Sequence, residues 1–334
     1  MINFNDYQKE LYIEREIIQA EIKKWLHTER SKAKPLYAIK GDIGMGKTWL
    51  LKYFETYWTD LGRPTLWLDA KHWLDDRKDW FTKVVNISSS RLGLNLYPDM
   101  LAMTEVLGQI SQAYSEQQGL LLVDSVDMLN EEDAWKFEQE VLLNLIKDKS
   151  HAHCSKMLLA IREQLHTPEL RFLDYNEASL QNWDGEKGEE QIKLFLQKAG
   201  IESVSPEDVK NNLFPIQEDY HWQLPRLNTC LVEQFVENGH PNDCTIIYHC
   251  LEEFIDDTAI KSDRFDPLKI LIAWAGMLEE TFTSSDISSE QEYLLELFID
   301  LNLVKDIDYD EYEIIPGLRE ALHDYYYGCL AKEH

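Results

Sequence analysis

Gly41, Gly46, Lys47 and Thr48 fall at the offsets G-x-x-x-x-G-K-[ST] within IKGDIGMGKTWL, residues 39–50. These residue types at this spacing can hold phosphate. Glycines let successive backbone N–H groups turn inward as an anion-binding nest, and the start of a following helix adds its dipole. Lys47 would supply a point charge to the β and γ phosphates, and the Thr48 hydroxyl would be a ligand for Mg²⁺. The loop of Gly41, Asp42, Ile43, Gly44, Met45 and Gly46, running into Lys47, Thr48 and Trp49, is therefore a candidate site for ATP or ADP with Mg²⁺. The bland alternative is a glycine-rich turn with a surface lysine. Context disfavours it, because an apolar run precedes the loop and TWLLKYFETYW has helical spacing until Gly62 and Pro64 stop it.

A phosphate loop of this kind needs a second metal contact from the carboxyl end of a neighbouring strand. LLLVD, residues 120–124, offers Asp124 after four apolar residues, and Asp127 follows three positions later. KMLLAIR, residues 156–162, ends in Arg162, whose permanent cation at a strand end would face a γ-phosphate and report its presence. A surface ion pair with Glu163 or Glu169 is the alternative for that side chain.

Five runs qualify as the strands that carry these residues: PLYAIKG (35–41), PTLWLDA (64–70), LLLVDSV (120–126), KMLLAIR (156–162) and EASLQNW (177–183). Each is short and nearly continuous in apolar character, and helical patterns alternate with them, which predicts a parallel α/β sheet covered on both faces. PTLWLDA separates the phosphate loop from Asp124 in the chain, the mark of the additional-strand ATPases. From DGEKGEEQIKLFLQKAG the pattern is helical through LPRLNTCLVEQFVENG, ending at Gly239 and Pro241, which predicts a small helical lid. Beyond it come helical stretches at 244–256 and 267–279, a polar break TFTSSD, a helix at 289–301, a hairpin-like LVKDIDYDEYEII and a closing helix from Gly317. That layout is a winged helix. The expected domains are 1–183, a P-loop nucleotide-binding domain; 184–241, the lid; and 242–334, the winged helix.

Taken together, the phosphate loop, the intervening strand, LLLVDSVD, LLAIRE, a lid with QLPRL and an acidic winged helix resemble the signal-transducing ATPases with numerous domains. These STAND proteins are AAA+ relatives that include NACHT and NB-ARC modules, and the likeness runs from YIERE (12–16), similar to the family's GRE motif, to about residue 325. The resemblance implies that Asp124 is the Walker B acid and Arg162 the sensor at the γ-phosphate. It also implies that Pro225, at the proline of the lid's GxP motif, packs on adenine, while Tyr12, Ile13 and Arg15 border the base from the other side. A plain helix start is the alternative for Pro225, and Gln223 stands where the motif has glycine. Two further departures bear on mechanism. Efficient motors follow the Walker B aspartate directly with glutamate, whereas Ser125 follows Asp124; the DxxDE form would place glutamate at Met128. Asp127 is then the candidate base and hydrolysis is expected to be slow, which suits a switch. Where NB-ARC proteins carry an MHD histidine, EIIPGLREAL has Pro316 and Gly317, with His323 and Asp324 farther along, expected to face solvent.

Charge limits the partners. The 334 residues carry 33 Lys and Arg against 61 Asp and Glu, a net charge of −28, which repels nucleic acid and anionic lipid at long range. The candidate recognition helix carries Glu290, Glu292, Glu296 and Asp300 without a Lys or Arg, and the wing sets Asp306, Asp308, Asp310, Glu311 and Glu313 against Lys305. DNA is therefore not an expected partner, and Leu294, Leu295, Phe298 and Leu301 are expected to be a buried packing face. No apolar run approaches the roughly 20 residues of a membrane span, and MINFNDYQKE lacks the basic and apolar parts of a leader, so a cytoplasmic location is expected. The five scattered cysteines read as buried, reduced thiols. The leading function is a slow ATPase switch whose nucleotide state controls conformation and self-association, or a protein partner, in signalling or defence. The competing classes are an origin-recognition-like or transposition-type AAA+ protein acting on DNA through its winged helix, and an active motor or P-loop kinase.

Overall fold

The computed structural model describes residues 7–41, 44–146, 155–181 without 163 and 174, 185–201, 204–205, 266–300 without 280, 303–314, and a few isolated helical positions elsewhere. They form two compact units, one of residues 14–41 and 46–181, the other of residues 1–13, 42–45 and 182–334. Among the described residues no helix is long and apolar enough to cross a membrane.

The first unit is built on a parallel sheet of β1 (Leu36–Lys40), β2 (Thr65–Asp69), β3 (Leu120–Asp124), β4 (Lys156–Ile161) and β5 (Asn176–Ser179), in the spatial order β2-β3-β4-β1-β5. All five expected strands are present. In β3 and β4 every residue is buried, as their unbroken apolar runs require when helices cover both faces. β5 departs from that expectation: its burial alternates because it is an edge strand, paired with β1 alone. Parallel pairing needs crossovers, and the helices supply them: α1 (Glu16–His27) precedes β1, and α2 (Lys47–Asp60) follows it. Then α3 (Ala70–Asp75), α4 (Arg77–Leu92) and α5 (Met103–Glu116) lie between β2 and β3. After β3 come α6 (Glu131–Phe137), a π turn (Glu138–Leu142) and α7 (Leu143–Leu145), and α8 (Pro168–Arg171) stands between β4 and β5.

Alternate strand residues point to opposite faces. Leu36, Ala38, Leu66, Leu68, Leu121, Val123, Met157 and Leu159 join one core with Trp73, Trp80, Phe81, Leu107, Ile110 and Phe137 from the helices of residues 70–145. There the Phe137 ring sits 5.2 Å from Trp73 and 6.3 Å from Trp80, so truncating it would cost about 3–5 kcal/mol. The other face takes α1, whose Trp25 ring lies 5.4 Å from Tyr37 of β1. α2 packs against β3 and β4, burying Leu50, Leu51, Phe54 and Trp58. α2 ends where expected, at Gly62 with φ +72, a left-handed conformation that a β-carbon disfavours.

In the second unit, α9 (Gly185–Lys198) opens the region expected to be the lid, and the single described positions 228, 229, 232, 233 and 236 are helical. Farther on, α10 (Pro267–Met277) starts with proline at its first turn and an Asp266 cap. It is followed by β6 (Thr281–Phe282), α11 (Glu292–Asp300) and a hairpin of β7 (Val304–Asp308) and β8 (Glu311–Ile314). The three strands form an antiparallel sheet in the order β6-β8-β7. Trp274 of α10 is the hub of this core, 5.9 Å from Phe282 and 5.4 Å from Phe298 between ring centres. The helix, helix and hairpin expected here are present, but TFTSSD is not only a break: it contributes the short third strand. Leu294, Leu295 and Phe298 are buried while Glu290, Glu292 and Glu296 are exposed, as anticipated. The five cysteines, Leu301 and the start of the closing helix lie outside the described residues.

Candidate functional site

Three strand ends assemble the site. β1 runs into the phosphate loop, where Gly44 (φ +84) and Gly46 (φ +86) adopt left-handed conformations that side-chain-bearing residues avoid. Gly46 is the residue from which α2 departs, so Lys47 and Thr48 occupy its first turn, as the motif demands. β3 delivers Asp124, and a 3₁₀ turn (Val126–Met128) then places Asp127. β4 delivers Arg162. In the sheet it is β4 that separates β1 from β3, while β2, the strand that intervenes in the chain, lies at the edge.

The side chains converge. Thr48 donates its hydroxyl to Asp124 Oδ1 at 3.2 Å. Lys47 Nζ lies 2.7 Å from Asp127 Oδ2 and donates to the Gly41 carbonyl at 2.5 Å. Arg162 donates through Nη2 to the Asp127 carbonyl at 3.3 Å, and its own carbonyl accepts the Gly41 N–H at 3.1 Å. Lys47 and Asp124 are nearly buried, at 5% and 6% exposure. Burial, reinforced by the charge of Asp127 and to a smaller extent Asp69, pushes the Asp124 carboxyl up to about 7, against the hydrogen bonds from Thr48 and the Ser125 backbone. A carboxylate held in that state beside a hydroxyl is the donor set of a hard divalent cation, and the pair Thr48 and Asp124 fits Mg²⁺. Bound there, the cation would supply the positive charge that both a buried acid and a triphosphate lack.

Met45 is buried and Trp49 half-buried. Arg15 donates to the Gln181 carbonyl at 2.9 Å, just past β5. Tyr12 and Ile13 belong to the second unit, where Ile13 is buried. Asp42, Ile43 and Pro225 lie outside the described residues. His323 is exposed, as expected, and Asp324 is not among the described residues. Glu169, the alternative partner for Arg162, accepts from Gln139. One contributor went unread in the sequence. Glu138, wholly buried in the π turn, accepts the backbone N–H groups of His166 (2.9 and 3.0 Å) and Thr167 (2.5 Å), and so anchors the segment that follows Arg162. The one available signal was an acid within the helical run EQEVLLNL, next to apolar positions.

No protein-family model matches the chain, and no curated protein matches it. Solved structures do. A Walker-type ATPase of Pyrococcus abyssi superposes with a TM-score of 0.63 at 16% identity, covering 95% of this chain and 97% of its own. The shared fold is the α/β fold of P-loop NTPases, a five-stranded parallel sheet flanked by helices. The ORC2 protein of Aeropyrum pernix, in ADPNP and ADP complexes, superposes at 0.54 with 12% identity, covering 98% of both chains. CDC6p of Pyrobaculum aerophilum superposes at 0.51 with 12% identity, over 99% of this chain and 97% of its own.

Proposed function

We propose that this chain binds ATP or ADP with Mg²⁺ and uses slow hydrolysis to switch between conformations that differ in self-association or in affinity for a protein partner. One observation carries the reading: Lys47, Thr48, Asp124, Asp127 and Arg162 meet at the carboxyl ends of β1, β3 and β4, while Ser125 holds the position next to Asp124. In this arrangement the loop N–H groups and Lys47 bind the β and γ phosphates, and Thr48 and Asp124 hold the metal. Arg162 reads the γ-phosphate. Asp127 is the nearest acid able to take a proton from an attacking water, and Ser125 stands where a water-orienting glutamate would follow Asp124, so turnover is slow. Phosphate contacts made only with ATP supply the differential affinity that a population shift requires. We assign 1–183 to the nucleotide-binding domain, 184–241 to the lid and 242–334 to a winged helix that carries the output, with a cytoplasmic location.

A second reading is favoured by the likeness to ORC2 and CDC6p: an origin-recognition-like ATPase that acts on DNA through its winged helix. The expectation that DNA is not a partner rests on charge, which the fold likeness does not support. The two readings separate in one set of measurements. Calorimetry with ADP and a non-hydrolysable ATP analogue, beside Lys47→Ala, tests the site, and uptake that the variant lacks is expected. Light scattering after size exclusion in the same nucleotides reads the switch, where a nucleotide-dependent mass is expected. Duplex titrations at low and moderate salt read the second function. Tight binding that weakens steeply with salt would replace the first reading, and failure to bind any nucleotide would remove both.

A further inference from the structure

The four groups expected to meet the triphosphate are bonded to one another in a closed ring. Lys47 Nζ contacts Asp127 Oδ2 at 2.7 Å and the Gly41 carbonyl at 2.5 Å. The Gly41 N–H is donated to the Arg162 carbonyl at 3.1 Å, and Arg162 Nη2 is donated to the Asp127 carbonyl at 3.3 Å, which returns the circuit to its start. This ring joins the ends of β1 and β4, the turn after β3 and the first turn of α2. The Lys47 and Asp127 side chains within it are only 5% and 10% exposed, so water screens their attraction weakly. An ammonium so engaged is unavailable to a phosphate, and the carboxylate oxygen so engaged is committed to the ammonium.

Resting on the nucleotide-binding reading above, we infer that Asp127 is an internal counterion that latches the phosphate loop. Its carboxylate holds the place of a phosphate on Lys47, and an incoming triphosphate must displace it. Displacement has two consequences. The loop lysine turns from Asp127 to the nucleotide, and Asp127 becomes free to accept a proton only once the phosphates are seated. The same residue thus sets the threshold for nucleotide entry and delays hydrolysis until entry is complete. Asp127 is a positioning residue in the first step, acting through Lys47. Asp124 is not a competing latch, because its bonded partner is the Thr48 hydroxyl.

The latch makes a prediction opposite to that of a simple binding or catalytic residue. If the unlatched form is about a tenth of the nucleotide-free population, Asp127→Asn raises affinity for a non-hydrolysable ATP analogue about tenfold. Hydrolysis falls in the same variant. Asp127→Glu, which keeps the charge, returns affinity toward the unaltered value. Relief of plain charge repulsion would also raise affinity, so the exchange is repeated on Lys47→Ala, with competition titrations extended to millimolar analogue. A gain confined to chains that retain Lys47 is the latch, and an equal gain without Lys47 overturns it. Affinity that is unchanged or weakened in a thermally folded Asp127→Asn chain also overturns it, while the nucleotide-binding reading stands. If neither the unaltered chain nor Asp127→Asn takes up nucleotide, the binding reading and the latch fall together.

Discussion

Asp124 is the acid of the site without a cation of its own, and that imbalance should be measurable without any nucleotide. Lys47 is engaged by Asp127 at 2.7 Å, leaving Asp124 with the Thr48 hydroxyl and the Ser125 backbone as partners. Burial, with the charge of Asp127 behind it, raises its carboxyl from an ordinary 3.8 to about 7. The sign follows from proton counting: over the interval from about 4 to about 7 the folded chain holds a proton that the unfolded chain has released, so stability is greatest at the acid end and falls as pH rises. Three units at 1.36 kcal/mol each give roughly 4 kcal/mol in all, an upper figure because the site can relax. Asp124→Asn removes the titration while keeping the shape and an acceptor for Thr48. In EDTA, urea unfolding of the two chains should show Asp124→Asn the more stable, with the gap widening by about 3 kcal/mol between about pH 5 and about pH 8. Mg²⁺ added at the higher pH should narrow the gap, because it stabilises the ionised carboxylate of the unaltered chain alone. A gap that stays constant within about 0.5 kcal/mol across that range would refute the reasoning, since it would mean that Asp124 is ionised and neutralised in the folded chain throughout.

Two further predictions concern the scaffold. A β-carbon on Gly119, in the turn from α5 into β3, would lie 2.4 Å from Tyr114 Cδ1, 3.0 Å from the Pro64 carbonyl and 3.1 Å from the Tyr114 carbonyl. Because two of those atoms are backbone, Gly119→Ala should cost about 1–3 kcal/mol, while Gly108→Ala on open space within α5 should gain about 0.5–1 kcal/mol; equal melting temperatures for the two would contradict the geometry. Lys156, 4% exposed at the start of β4, donates to the carbonyls of Trp25, Leu26 and Thr28 at 2.6, 2.8 and 2.6 Å and so ties down the end of α1. Lys156→Met strips those bonds and should cost about 2–3 kcal/mol at neutral pH by urea unfolding; an unchanged midpoint would show that the bonds contribute no net stability.

Elements were legible in the sequence wherever a period announces them. LYAIK, LLLVD and KMLLAI are short apolar runs bounded by turn residues, as strands buried on both faces require, and the glycines, lysine and threonine at residues 41–48 have the types and order of a phosphate-binding motif. What was not legible depends on neighbours in space. That β4 lies between β1 and β3, bringing Arg162 beside Gly41, depends on its pairing with β1 across more than a hundred residues, which no local pattern encodes. Nothing in the sequence marks Lys156 as buried, yet its ammonium is a buried donor to the end of α1. Thr281 and Phe282 are too few to form a period, and become a strand only because β8 offers an edge. The Lys47 and Asp127 contact joins two motifs 80 positions apart, each readable alone, whose meeting depends on the turn between Asp124 and Asp127.

That turn carries the argument for a switch further than side-chain identity does. Ser125 has φ +64 and ψ +17, a left-handed conformation that costs a residue with a β-carbon about 1 kcal/mol or more. Had β3 continued one residue, the side chain at 125 would point to the sheet face opposite that of Asp124. Instead the chain reverses at once into the 3₁₀ turn, closed by the Met128 N–H on the Ser125 carbonyl at 3.2 Å, and it is Asp127 that arrives at the lysine of the phosphate loop. The acid that pairs with Lys47 is therefore chosen by the backbone. On the proposed reading, an acid reached through this turn instead of one next to Asp124 makes hydrolysis slow, which suits holding a nucleotide better than consuming it.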